Sequence, residues 1–271
     1  MPDTDVTFER RVADARLVVD ERFAGRELDR SHWIPSYLPH WAGRDHSAAR
    51  YRLVGDHLEL FIADDQPVWR PDVAPDMRVS SLQTGCFAGP IGSAIGQHRT
   101  DDRLLVVEEQ TTERLITPYR GAVELQASWA PHPNGMVALW MIGFEDRPER
   151  SAEICVCEIF GSDVSADRAL VGMGLHPFAD PSVIDDFEKV EAAIRIADPH
   201  RYGMIWTDTD VTFFLDGDPV KRVDQSPNYP MQLMLNIYEF GARDGREDPT
   251  PPAGFRVDHV KVWASTGDDR S

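Results

Sequence analysis

The chain has 271 residues, 42% of them hydrophobic and 27% charged, with seven Trp and twelve Phe that need burial or a ligand to stack on. Its formal net charge is −18 and its pI lies near 4.8. Long-range repulsion therefore argues against nucleic acid, an anionic membrane surface or a polyanionic substrate, and leaves neutral or cationic ligands.

No internal repeat, low-complexity tract or linker-like run divides the chain, and all-β units of this order of length fold as one. A single domain over residues 15–265 is expected, with loose ends at 1–14 and 266–271. The opening MPDTDVTFERRVADARLVVD has no apolar run behind a basic region, and no stretch approaches the roughly 18 apolar residues of a membrane span. The expectation is a cytoplasmic monomer with no membrane partner, or a secreted one if a leader has been removed. Three cysteines do not make a disulfide framework.

Period-2 alternation dominates. It runs through Leu58-Leu60-Ile62, through 122–127, through Val190-Ala192-Ile194-Ile196, Val211-Phe213-Leu215 and Met231-Leu233-Leu235, and ends in Phe255-Val257 and Val260-Val262. DDFEKVEAAIRI can be read helically through Phe187, Val190 and Ile194, but its alternation from 190 fits a strand better. Pro131, Pro133, Asn134 and Gly135 break the run after Trp129, and Asp216-Gly217 in LDGDPV is a hairpin signal. Many short strands with turn chemistry between them predict an all-β sandwich of two antiparallel sheets.

The stretch EICVCEIFG, 153–161, sets two cysteines between two glutamates. Residues two apart on a strand stand about 6.6 Å apart at Cα with parallel side chains, too far for an unstrained disulfide. No CxxC or HxxxH spacing elsewhere completes a zinc set, and flanking carboxylates raise a thiol's pKa, so packing is the expected role of the thiols. The glutamates differ by an odd number of residues and would face opposite sides of a regular strand. A one-residue bulge after Cys155 returns Glu158 to the face of Glu153 and Cys155, with Cα atoms ~13 Å apart and carboxyls able to lean together.

EICVCE resembles the E-x-D-x-x-E signature of glycoside hydrolase family 16, the family of endo-β-1,3- and β-1,3-1,4-glucanases. The likeness continues in order through YRGAVELQASWAP (119–131), GMVALWMIG (135–143), HRYGMIWTDTDVTFFLDGDPV (200–220), PMQLMLNIYEF (230–240) and FRVDHVKVW (255–263), and opens in ERFAGRELDRSHW (21–33). It implies a concanavalin A-like β-jelly roll whose concave sheet forms a sugar-binding cleft. It implies further that Glu153 is the nucleophile and Glu158 the acid/base of a retaining endo-hydrolase acting on a neutral β-linked polysaccharide, a β-1,3- or β-1,3-1,4-glucan. By the same likeness Trp140 and Trp206 would stack on sugar rings, His200 would lie near the acid/base, and Asn236 would meet a hydroxyl. No cofactor is required, though the family's structural calcium would use Asp258. Two positions depart from the pattern: Cys155 stands where the family has Asp, and Glu239 is an added acid near the cleft. Cys155 also leaves open a non-hydrolytic carbohydrate-binding protein on the same scaffold.

Overall fold

The computed structural model describes residues 6–241 and 254–265. The alternating segments become strands: β1 (Leu17–Glu21), β2 (Tyr51–Val54), β3 (His57–Leu60), β4 (Arg78–Gln83), β5 (Gly85–Cys86), β6 (Glu113–Arg114), β7 (Gly121–Trp129) and β8 (Gly135–Gly143) in the first half. The second half supplies β9 (Glu153–Phe160), β10 (Ala169–His176), β11 (Asp186–Ala192), β12 (His200–Trp206), β13 (Val211–Leu215), β14 (Asp218–Val223), β15 (Met231–Glu239) and β16 (Phe255–Trp263).

An eight-stranded sheet runs β14-β13-β12-β7-β16-β3-β2, with β1 also on β16, and a six-stranded sheet runs β11-β10-β9-β8-β15-β4. All of these pairs are antiparallel. The expected two-sheet jelly-roll sandwich is thus present, and 186–192 is strand rather than helix. The β13–β14 hairpin turns on Asp216 and Gly217, both at positive φ (52° and 94°), as a two-residue hairpin requires.

Alternate residues divide each strand of the six-stranded sheet between two environments. Val137, Leu139 and Met141 of β8, with Leu233, Leu235 and Ile237 of β15, face the eight-stranded sheet and join Val123, Leu125, Met204 and Trp206 in the main core. Ala138, Trp140 and Ile142, with Met234 and Tyr238, face the other way and pack under Tyr37, Leu38, Trp41, Trp69, Leu104 and Val106 from the long connections. Those connections cover part of the outer face and leave the remainder as a cleft.

The chain start is not loose where it is described. Phe8–Val12 forms a short helix whose Phe8, 2% exposed, packs edge-on against Phe214 and Trp263. The expected loose tail, 266–271, lies outside the described residues. Among the described residues no helix is long and apolar enough to cross a membrane.

Candidate active site

The site begins with a register shift. Along β8 and β9, Ile142 faces Glu153, Trp140 faces Cys155, Leu139 faces Cys157 and Ala138 faces Glu158, so Val156 is the extra residue of a bulge. On the other side β10 absorbs the same residue: His176 pairs with Glu153, Gly174 with Cys155 and Gly172 with Glu158. Val156 and Cys157 consequently both enter the main core with Ile154 and Ile159. Glu153 and Glu158 come to line one cleft.

That cleft has a volume of about 230 Å³, and Trp140, His98, His176 and Phe178 complete its working wall beside the two glutamates. His98 and Phe178 also border an adjoining hollow of about 730 Å³, walled by Phe87, Ile95 and Pro148 with Glu145 among them. Aromatic faces beside carboxylates suit a polyhydroxylated ring, which offers apolar C–H faces and a polar rim.

Glu153 is 7% exposed, and burial pushes its carboxyl up to about 7. The Cys155 thiol, donating to Glu153 Oε1 at 2.8 Å, and nearby His176 pull it back, while the Glu158 charge pushes it further up. Burial, and then the two carboxylates, hold the Cys155 thiol well above its usual range, so it serves as a donor and not as a nucleophile. Burial likewise lifts Glu145 to about 8, against the His98 backbone N–H that donates to it at 2.6 Å.

The other expected site residues scatter. Trp140 lines the cleft, its ring 4.9 Å from that of His98, and its indole N–H donates to Asn236 Oδ1 at 2.5 Å. Asn236 is 0% exposed, so it underpins Trp140 rather than facing the opening, and its Nδ2 has no partner. His200 and Trp206 are not cleft residues, because β12 belongs to the eight-stranded sheet. Trp206, 1% exposed, points between the sheets with Tyr202 and Met204 and donates to Ser226 Oγ at 2.7 Å. His200 is held by Asp216 at 2.7 Å and by the Arg195 carbonyl at 3.1 Å.

Glu239 alternates with Tyr238 to the opposite face of β15 and is ion-paired with Arg78. Asp258 is the bulged residue of β16 and accepts from Arg256 at 2.8 Å. Among the described residues no group of three or more His, Cys, Asp or Glu side chains includes Asp258.

Trp206→Ala is therefore expected to cost about 3–5 kcal/mol of stability. His200→Ala should leave oligosaccharide binding and turnover within about twofold of wild type. Chemical denaturation and calorimetry read the two effects separately, and lost affinity in a folded His200→Ala protein would refute this placement.

A sequence profile of glycosyl hydrolases family 16 matches residues 117–261. The endo-1,3-1,4-beta-glycanase ExsH of Rhizobium meliloti (strain 1021) is 25% identical over 88 residues, 29% of this chain and 18% of that protein. The GlcNAcα1-4Gal releasing endo-β-galactosidase from Clostridium perfringens superposes with a TM-score of 0.79 at 26% identity, covering 93% of this chain and 62% of that one. This chain thus spans less than two thirds of either protein. The laminarinase from Flavobacterium sp. UMI-01 gives a TM-score of 0.61 at 17% identity over 92% of this chain and 100% of its own, a likeness of fold alone.

Proposed function

Because the chain belongs to glycosyl hydrolases family 16, we propose that it is a retaining, endo-acting hydrolase of a neutral β-linked polysaccharide, with Glu153 as nucleophile and Glu158 as general acid/base. The observation that carries this reading is the bulge at Val156, which sets both glutamates on the wall of one aromatic-lined cleft. A retaining mechanism needs two such carboxyls facing one bond.

In the first step a Glu153 oxygen attacks the anomeric carbon as the glycosidic C–O bond breaks, and Glu158 gives its proton to the departing oxygen. In the second, Glu158 takes a proton from water. The water oxygen replaces Glu153 on the anomeric carbon, and Glu153 leaves as carboxylate. Cys155 takes the place of the family's Asp in holding the nucleophile: its S–H donates to Glu153 and so stabilises the ionised form that attacks.

β-1,3- and β-1,3-1,4-glucans are the first substrates to test, in keeping with the name of the Rhizobium relative, an endo-1,3-1,4-beta-glycanase. The match to the Clostridium endo-β-galactosidase, at 26% identity over nearly the whole chain, supports a second reading: a β-galactoside carrying an amino sugar. The hollow beside His98 and Phe178 offers room for such a branch. Product release from glucans and from N-acetylated galactosides separates the two. Binding without turnover on either would point instead to a carbohydrate-binding protein.

The nucleophile must be ionised, while burial favours its neutral form, so kcat/KM is expected to rise with pH through about 7. A pH profile already flat from pH 5 upward would refute Glu153 as the group that must lose its proton.

A further inference from the structure

Hydrolysis accounts for the two glutamates but not for the donor set around Glu153. A carboxylate oxygen of Glu153, the sulfur of Cys155 and a ring nitrogen of His176 all lie within 4.8 Å of one another. Glu153 and His176 are paired directly across β9 and β10, and Cys155 stands two residues further along the Glu153 face. One thiol, one imidazole and one carboxylate make a set suited to zinc, with a fourth position left to solvent. Calcium and magnesium, which take oxygen ligands, are poorly served by it.

His176 is presented as a ligating imidazole usually is. Its Nδ1 is bonded to Asp185 Oδ1 at 2.6 Å and its ring stacks on Phe187 with centroids 4.7 Å apart. With Nδ1 donating to that carboxylate, Nε2 is the nitrogen that would be left to ligate. An ion has a route in, because Glu153 and His176 both line the open cleft. The net charge of −18 favours the approach of a cation.

We propose that Glu153, Cys155 and His176 form a binding site for a thiophilic divalent transition metal ion, Zn²⁺ foremost, and that its occupation shuts down hydrolysis. On binding, the proton that Cys155 now shares with Glu153 goes to solvent, and sulfur and carboxylate oxygen both turn to the ion, with no change of oxidation state. The site stands on the donor geometry alone. The inhibition rests on Glu153 being the nucleophile, since a coordinated carboxylate cannot attack the anomeric carbon. Cys155 makes the difference: an aspartate there would leave the site without sulfur.

The test is a titration of the full chain with Co²⁺, read by the near-ultraviolet thiolate-to-cobalt charge-transfer band, followed by displacement with Zn²⁺. One thiolate-ligated Co²⁺ per chain is expected. Cys155→Ser should abolish the band and weaken Zn²⁺ by about 100-fold or more, and Asp185→Asn should weaken it about 10-fold or more through the orientation of His176. His32→Ala should leave the band intact, because the other cluster in the described residues, Glu21, Asp29 and His32, has no sulfur. No band, or a band that survives Cys155→Ser, overturns the site. Should Cys155→Ser misfold, a band unchanged in His176→Gln overturns it equally. Hydrolysis that falls with Zn²⁺ occupancy and returns with a chelator supports the inhibition, and hydrolysis undisturbed at saturation overturns it. Metal binding by a protein that hydrolyses no glycan would refute the proposed activity while upholding the site.

Discussion

Glu153→Gln is expected to lower kcat on the glycan substrate by about 10⁴-fold or more, because the amide keeps the size of the side chain and loses the nucleophile. The same substitution should stabilise the fold at neutral and alkaline pH. Folding lifts the Glu153 carboxyl from its ordinary value of 4.5 to about 7, so its contribution to stability is complete below about pH 4.5 and is lost as pH rises through 7. Above that pH the wild type holds a buried charge that the amide does not, and the amide oxygen can still accept the Cys155 S–H. The difference amounts to roughly 3 kcal/mol at full ionisation. Thermal melts of both proteins from pH 4 to 9 check it. An inactive variant whose advantage in Tm opens with rising pH identifies a carboxylate kept charged for catalysis at the expense of the fold. A variant that keeps its activity, or that melts lower at pH 8, contradicts the assignment.

The sequence made some parts of this site readable and hid others for reasons of geometry. The bulge was legible because the odd spacing of Glu153 and Glu158 has one economical repair, and the register places the extra residue at Val156. Alternation told which residues of β12 share a face, but not which way that face points. Tyr202, Met204 and Trp206 share one, and it is the core. The residue types did not settle it either, because Met136, Trp140 and Tyr238 line the cleft as Met204, Trp206 and Tyr202 line the core. Glu239 failed through the same parity, one residue beyond Tyr238. His98, His176 and Phe178 could not be found by spacing. They reach the cleft from a connection, from the end of β10 and from the turn after it, and only the pairing of His176 with Glu153 reveals their neighbourhood. The buried Phe8 was overlooked because a short amphipathic segment at a chain end carries little period of its own.

Glu158→Gln is expected to separate the two chemical steps. On a glycan, whose leaving oxygen must be protonated, kcat should fall by about 10²–10⁴-fold. On an aryl glycoside with an acidic phenol the first step needs no proton, so the glycosyl group should still reach Glu153. Only its release by water would then slow, giving a burst of phenol followed by a low steady rate. Azide, a nucleophile that needs no general base, should restore the steady rate and yield a glycosyl azide of retained configuration. In register Glu158 stands between Ala138 and Gly172, and the Phe187 ring packs over Gly172, where a Cβ would sit 2.5 Å from its Cζ. An acidic leaving group should not rescue Glu153→Gln, and an anion that stood in for its missing nucleophile would give a product of inverted configuration, not the retained one. Equal rescue of both variants would mean that the roles of the two glutamates are not those assigned. Rescue of Glu158→Gln alone, with retention, distinguishes the acid/base from the nucleophile.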